Sequence, residues 1–239
     1  MPEIKDKNRR DFIRDIFVAV PAAALLGCPS AVAKQENNST NTASQTDNHT
    51  LLYFKNEEWK FILSACDCLI PYDEHGPGAL ETNVPIFIDR QLFGYFGHAA
   101  TWYMEGPFDP SAAPDRGYQL PLTPQQVYRL GIEETNKHCQ ATYSKIFAVL
   151  NKAQQIEVLQ GLEDKKITSD RLPLSTFFSF LLQNTKEGYF ADPIHGGNQG
   201  MQSWKMIGYP GARASYLEWV EKYNTHYPLG PVSIQGKTS

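Results

Sequence analysis

Four clusters in this sequence have residue types that do chemistry. Cys66-Asp67-Cys68 is the one close pair of thiols. A c-type haem attaches at C-x-x-C-H, and residues two apart on a helix point about 200° from each other, so Cys66 and Cys68 cannot clasp one metal from a regular helix. Glu134 and His138 stand four apart, whereas a di-iron bundle needs Glu-x-x-His on two helices; the i,i+4 spacing suits a solvated helix contact instead. Asp73, Glu74 and His75 could face a cation, but a hard ion takes six or more oxygens and this loop offers few. Gly196-Gly197 follows His195, and Gly200 comes soon after, yet no strand precedes them and no phosphate-binding helix start follows. That stretch reads as a backbone turn, with His195 a polar loop residue. The sequence has no G-x-G-x-x-G after a strand, no G-x-x-x-x-G-K-[ST], no G-x-S-x-G and no H-E-x-x-H. The expectation is a chain with no catalytic, cofactor-binding or metal-binding residues of its own.

The elements that would position these residues are helical. Asn56-Glu57-Glu58-Trp59 reads as a helix start with acids in the first turn, and Trp59, Ile62, Cys66 and Leu69 recur at helical spacing up to Pro71. Pro85 suits the first turn of a second helix reaching Gly94, with Ile86, Phe87 and Phe93 as its apolar face. Thr123-Pro124-Gln125-Gln126 is a capping box that opens the longest periodic run, through Tyr128, Ile132, Cys139, Tyr143, Ile146, Phe147 and Leu150. This predicts a helix of roughly 25 residues as the central rod. Asn151 restarts a helix through Ile156, Leu159 and Leu162. Ser175 is expected to cap another, with Phe177, Phe178, Leu181 and Leu182 inward and Gly188 at its end. A last short helix is expected from about Ala214 to Tyr223, carrying Leu217 and Val220. No stretch alternates like a strand, so the class is all-α: a single irregular helical domain with long Gly/Pro-rich loops at Ile70 to Asn83, Gly94 to Leu122 and Tyr189 to Arg213.

Composition narrows the function classes. The chain has 239 residues, 41% hydrophobic and 20% charged, with 22 Lys+Arg against 26 Asp+Glu and a net charge of −4. That balance gives no reason to seek a polyanion. Mean hydropathy is −0.41, and no apolar run in the body is long enough to span a bilayer. Four cysteines are too few for a disulfide scaffold.

The first 33 residues read as an address. Arg9-Arg10-Asp11-Phe12-Ile13 precedes a moderately apolar, Ala-rich run from Ile16 to Cys28, the pattern of a twin-arginine signal peptide with Arg9, Arg10, Phe12 and Ile13 at its core. Ala31-Val32-Ala33 offers the small-x-small cleavage pattern, through Ala31 and Ala33. Leu25-Leu26-Gly27-Cys28 is a rival, a lipoprotein box in which Cys28 would be acylated. The expected organisation is a cleaved signal peptide at 1–33, a disordered polar linker at 34–50 and a helical domain at 51–239. Cleavage after Ala33 leaves 17 basic and 22 acidic residues, and it leaves Cys66, Cys68 and Cys139 in the oxidising periplasm. Cys66 and Cys139 lie on the apolar stripes of their helices, so a Cys66–Cys139 bridge is expected. The twin-arginine route carries folded proteins, chiefly those loaded with a cofactor before export. A chain with that signal and no cofactor motif points to a partner's cofactor.

Three segments resemble the gluconate 2-dehydrogenase subunit 3 family. They are Leu69-Ile70-Pro71-x-Asp73 leading into Gly76-Pro77-Gly78-Ala79-x-Glu81; Tyr128-Arg129-x-Gly131-Ile132; and Glu187-Gly188-Tyr189-Phe190-x-Asp192-Pro193-Ile194-His195-Gly196-Gly197-Asn198, completed by Trp204-x-x-Ile207-Gly208-x-Pro210-Gly211. His195 departs from the pattern, where an aromatic is expected. The resemblance implies a small subunit of a membrane-associated sugar or sugar-acid dehydrogenase. Its partners would be a large FAD-dependent dehydrogenase subunit, which oxidises the substrate, and a multihaem cytochrome c subunit. FAD and haem c, with an iron-sulfur cluster as a further option, would then belong to those partners. In such complexes the flavoprotein lacks an export signal, so the small subunit would carry it through the twin-arginine translocase to the periplasm.

On this reading Cys68 is free or bonded to the large subunit. The partner surface is expected on the rigid loops, at Gly76, Pro77, Gly78 and Ala79 and at Asp192, Pro193, Ile194, His195, Gly196, Gly197 and Asn198. The competing readings are a free-standing periplasmic enzyme built around Asp73, His75 and His195, and a lipoprotein adaptor anchored through Cys28.

Overall fold

The computed structural model describes residues 49–109 and 111–238. The signal residues Arg9, Arg10, Phe12, Ile13, Ala31 and Ala33, with Cys28, lie outside them. Among the described residues there are six α-helices, several short 3-10 turns and isolated β-bridges in place of strands. We number the helices α1 (Asn56–Leu69), α2 (Val84–Phe93), α3 (Pro124–Tyr143), α4 (Lys152–Glu163), α5 (Leu174–Phe190) and α6 (Gln202–Ile207). The all-α class holds.

Local chemistry sets several of these boundaries. At the start of α3, Gln126 Oε1 accepts the Thr123 N–H at 2.8 Å while Thr123 Oγ1 accepts the Gln126 N–H, the reciprocal box expected there. Asn151 and Gln154 make the same exchange before α4, at 3.0 and 3.2 Å. Glu58 accepts the Lys55 N–H at 2.8 Å and Pro85 sits in the first turn of α2.

The expected central rod is shorter and displaced. Helix α3 has 20 residues and stops where Ser144 enters the left-handed region at φ 55°. The chain then re-forms as a 3-10 turn at Phe147–Val149, whose first N–H is accepted by Asn136 Oδ1 at 2.9 Å. The break turns Phe147 onto Phe61, with ring centroids 4.4 Å apart. Helix α5 takes the centre instead, packing against α2, α3 and α4. It can do so because Phe177, Phe178, Leu181 and Tyr189 are all buried, whereas α3 keeps Glu133, Lys137 and Gln140 outward. Burial of each such large apolar side chain contributes about 1.5–3 kcal/mol. Helix α5 begins after Pro173, not at Ser175, and it runs through Gly188 to Phe190. A Cβ on Gly188 would lie 2.7 Å from the Phe87 ring, so the glycine serves a close packing of α5 on α2.

Two apolar assignments fail on exposure. Phe93 is 56% exposed, and Leu92, Ile88 and Val84 fill the core face of α2 with Ile86 and Phe87. The expected terminal helix is only a 3-10 turn at Leu217–Trp219, and Leu217 and Val220 face solvent.

Helix α2 also carries Asp89, fully buried inside an apolar sequence. Its carboxylate accepts the N–H groups of Leu52 (2.8 Å), Tyr53 (3.0 Å) and Phe54 (3.0 Å) and faces His49 Nε2 at 2.8 Å. One side chain thereby fixes the strand of chain that leads into α1. Arg129 of α3 completes the fixation by pairing with Glu58 at 3.0 and 3.1 Å and lying over the Tyr53 ring.

Candidate partner-docking site

Two loops that are far apart in sequence meet at one end of α5. In the first, Asp73 Oδ1 accepts the His75 and Gly76 N–H groups, Glu81 accepts the Gly78 N–H at 3.0 Å, and the Ala79 N–H is donated to the Ile70 carbonyl at 2.8 Å. In the second, Asp192 Oδ1 accepts the Ile194 N–H at 3.0 Å, opening a 3-10 turn at Pro193–His195. Asn198 donates to the Ala191 carbonyl (2.9 Å) and accepts the Ser203 N–H (3.1 Å). The Ser203 hydroxyl lies between Asn198 Oδ1 (2.6 Å) and the Tyr189 carbonyl (2.5 Å) and can donate to one at a time. At Gly197 a Cβ would run into the Gly188 carbonyl oxygen, so only glycine lets this loop lie on α5.

Three contacts join the loops. Tyr189 at the end of α5 donates its hydroxyl to the Pro77 carbonyl at 2.7 Å. Gln199 donates its N–H to the Thr82 carbonyl at 3.2 Å. Gly76 lies against Met206 of α6, close enough that an added Cβ would stand 2.5 Å from its sulfur. Burial, then the nearby Asp73 and Glu81 carboxylates, push the Tyr189 phenol up from its ordinary value, which keeps it a neutral donor. Trp204 of α6 anchors that helix by donating Nε1–H to the Phe190 carbonyl at 2.8 Å.

Between the loops and α6 lies a shallow depression of about 670 Å³, lined by His75, Pro77, Gly200, Gln202, Lys205 and Met206. The same segments carry Tyr72, Ile194, Met206, Ile207 and Tyr209, all large apolar residues left exposed. A second depression, lined by Glu58, Arg129 and neighbouring polar residues, is a charged helix face whose Arg129 is engaged with Glu58.

The residues expected at a partner surface divide into scaffold and face. Gly78, Ala79, Asp192, Gly196, Gly197 and Asn198 are buried, Ala79 and Asn198 completely, so these six shape the loops more than they face outward. Gly76, Pro77 and Pro193 are half-buried, and Ile194 and His195 are exposed. Sequence reasoning missed Tyr189 as the link, Met206 as the floor and α6 altogether. The glycine beside Met206 is visible only in space.

The expected Cys66–Cys139 bridge is absent: Cys66, Cys68 and Cys139 are all free and buried. The C-terminal half of α1 faces α5 and α4, with Cys66 Sγ 3.7 Å from Thr185 Oγ1 and Cys68 Sγ 3.3 Å from Gln155 Oε1. A position on an apolar stripe does not say which neighbouring helix it meets. Burial pushes the Cys66 thiol up to about 12 and Cys139 to about 11, so neither is a nucleophile at neutral pH. Glu134 does not meet His138. It accepts from Ser169 (3.0 Å) and Arg171 (3.1 Å), while His138 faces Thr142. Of Asp73, His75 and His195, only His75 lines the depression. Among the described residues, no group of three or more His, Cys, Asp or Glu could hold a metal, and no helix is long and apolar enough to cross a membrane.

The architecture defines a small all-α domain whose shaped feature is a pair of interlocked Gly/Pro loops backed by a short helix. Residues 56–211 match the model of a family described as Gluconate 2-dehydrogenase subunit 3, and the chain belongs to that family. Membership implies a place in a multi-subunit dehydrogenase complex. No curated protein and no solved structure matches the chain.

Proposed function

We propose that this chain is the non-catalytic small subunit of a periplasmic, membrane-associated sugar or sugar-acid dehydrogenase. It binds and stabilises the large FAD-dependent subunit and carries it through twin-arginine export, and a multihaem cytochrome c subunit completes the complex. FAD and haem belong to those partners, and this chain performs no redox step.

The observation that carries this reading is the joining of the two loops across Tyr189 and Pro77. Both loops lie within the family match, and Tyr72 and Ile194 stand exposed on them among polar side chains. Loops locked by backbone acceptors lose little conformational entropy on docking, which favours affinity from modest contacts. Export is tested by Arg9→Lys with Arg10→Lys, followed by cell fractionation. The expected result is that both this chain and the flavoprotein stay in the cytoplasm. Normal periplasmic dehydrogenase activity in that variant would overturn the carrier role.

A further inference from the structure

The segment after Gly211 is built unlike the rest of the chain. It leaves and returns at one root: Ala212 donates to the Val232 carbonyl at 2.7 Å, and Val232 donates to the Pro210 carbonyl at 3.2 Å. Ile234 then donates its N–H to Asp192 Oδ2 at 2.7 Å, which ties the root to the loop that forms the docking site. The excursion between, residues 213–231, is held in shape by its own rings. Tyr227 packs on Tyr216 and Trp219, with centroids 5.9 and 5.0 Å apart, Arg213 lies over Tyr227 at 5.6 Å, and Lys222 lies over Trp219 at 4.3 Å.

None of its apolar side chains enters the hydrophobic core. Leu217 is 83% exposed, Tyr223 81%, Val220 62% and Leu229 55%. A monomer does not gain from ordering such a segment, since ordering costs conformational entropy that burial alone repays. Contiguous apolar patches larger than a few hundred Å² are rare on a monomer and mark interaction surfaces. A standard interface takes about 800 Å² per partner, and the excursion, rooted on the Asp192 loop, presents further apolar side chains for one.

Charge balance and continuity together select the occupant. Both cations of the excursion lie over rings, while Glu218 and Glu221 are exposed beside Leu217 and Val220. Two carboxylates and two cations leave the excursion without net charge, so nothing draws it to an anionic lipid surface, and its root on the Asp192 loop points to the subunit proposed to dock there. We propose that residues 213–231 form an arm that seats Leu217, Val220 and Tyr223 in an apolar groove on the dehydrogenase subunit. This rests on the function proposed above and gives it a second, separable contact.

The test co-expresses the tagged chain with the large subunit and measures the affinity of the purified pair. Leu217→Asp with Val220→Asp is expected to weaken it at least tenfold, while the circular dichroism and melting of the free chain stay unchanged. Leu217→Ala with Val220→Ala is expected to give a smaller loss in the same direction. Undiminished affinity in the aspartate variant overturns the arm and leaves the function proposed above intact. So does a variant that keeps the subunit but loses binding to phosphatidylglycerol vesicles. If the unaltered chain does not hold the large subunit, the function itself fails and the arm with it.

Discussion

Tyr189 and Pro77, separated by 112 residues, are joined by a 2.7 Å hydrogen bond from the tyrosine hydroxyl to the proline carbonyl oxygen. The bond fastens the first glycine-rich loop to the end of the central helix, and α6 closes over both through Met206, whose sulfur lies 3.7 Å from the same hydroxyl. A ring at position 189 packs there without the hydroxyl, but the loop then loses its tie.

Tyr189→Phe should therefore cost about 1 kcal/mol, the net worth of one such bond, or roughly 2–4 °C in melting temperature for a domain of this size. Amide exchange should rise in residues 72–79 and leave α3 unaffected. Unchanged exchange in that loop would contradict the link.

The second loop should be less forgiving. Gly197→Ala places a methyl against the Gly188 carbonyl, and backbone cannot swing aside as a side chain would. A loss of about 1–3 kcal/mol is expected, the range for overpacking. Gly230→Ala, where nothing lies within 4 Å of the added Cβ, serves as the neutral control. Equal urea midpoints for the two variants would refute the close approach.

Asp89→Ala should strip the acceptor from three backbone N–H groups at once. A buried donor left without a partner costs about 1–3 kcal/mol, and Phe54 is buried, so about 2–4 kcal/mol is expected in all. Asp89→Asn keeps one acceptor oxygen and should recover part of it. Hydrogen exchange at Leu52, Tyr53 and Phe54 checks the mechanism, because protection there should vanish in the alanine variant before α1 itself opens.

Alkaline pH should destabilise the fold through its buried acids. Burial raises Cys66 from 9.0 to about 12, Cys139 from 9.0 to about 11 and Tyr118 from 10.0 to about 12. The folded state thus holds protons that the unfolded chain releases first. Stability is fully present below pH 9 and is lost as pH rises through 9–12. The urea midpoint should fall between pH 8 and pH 10.5, and iodoacetamide should leave Cys66 unmodified at pH 8 until the chain unfolds. A midpoint independent of pH over that range would exclude the thiols and Tyr118 as the cause.

The helices with polar punctuation were the ones legible in the sequence. Thr123 with Gln126 and Asn151 with Gln154 announce α3 and α4 because a cap is a local hydrogen-bond exchange. Helix ends set by packing were not. Apolar spacing continues past Tyr143 to Phe147 and Leu150 even though Ser144 breaks the helix, since periodicity records which residues face a core and not whether the backbone is continuous. Leu217 and Val220 carry helical spacing with no core to meet. At the site, Gly and Pro marked the two loops that meet, but most of their glycines, with Asn198, are scaffold. The faces they build depend on Tyr189 and Met206, and no spacing in the sequence connects those two residues to Gly76. A lone acid in the apolar run of α2 was the one signal of Asp89.

The central claim is that the joined loops hold the flavoprotein, and the flavin absorbance recovered per mole of tagged chain measures it most directly. Ile194→Asp and Met206→Asp place a charge on partly exposed side chains of the second loop and α6. Wild type should bring down the flavoprotein with its flavin. At least one of the two variants should keep its helical circular dichroism and lose most of that absorbance. Full flavin recovery with both folded variants would contradict the account and put the interface on another face.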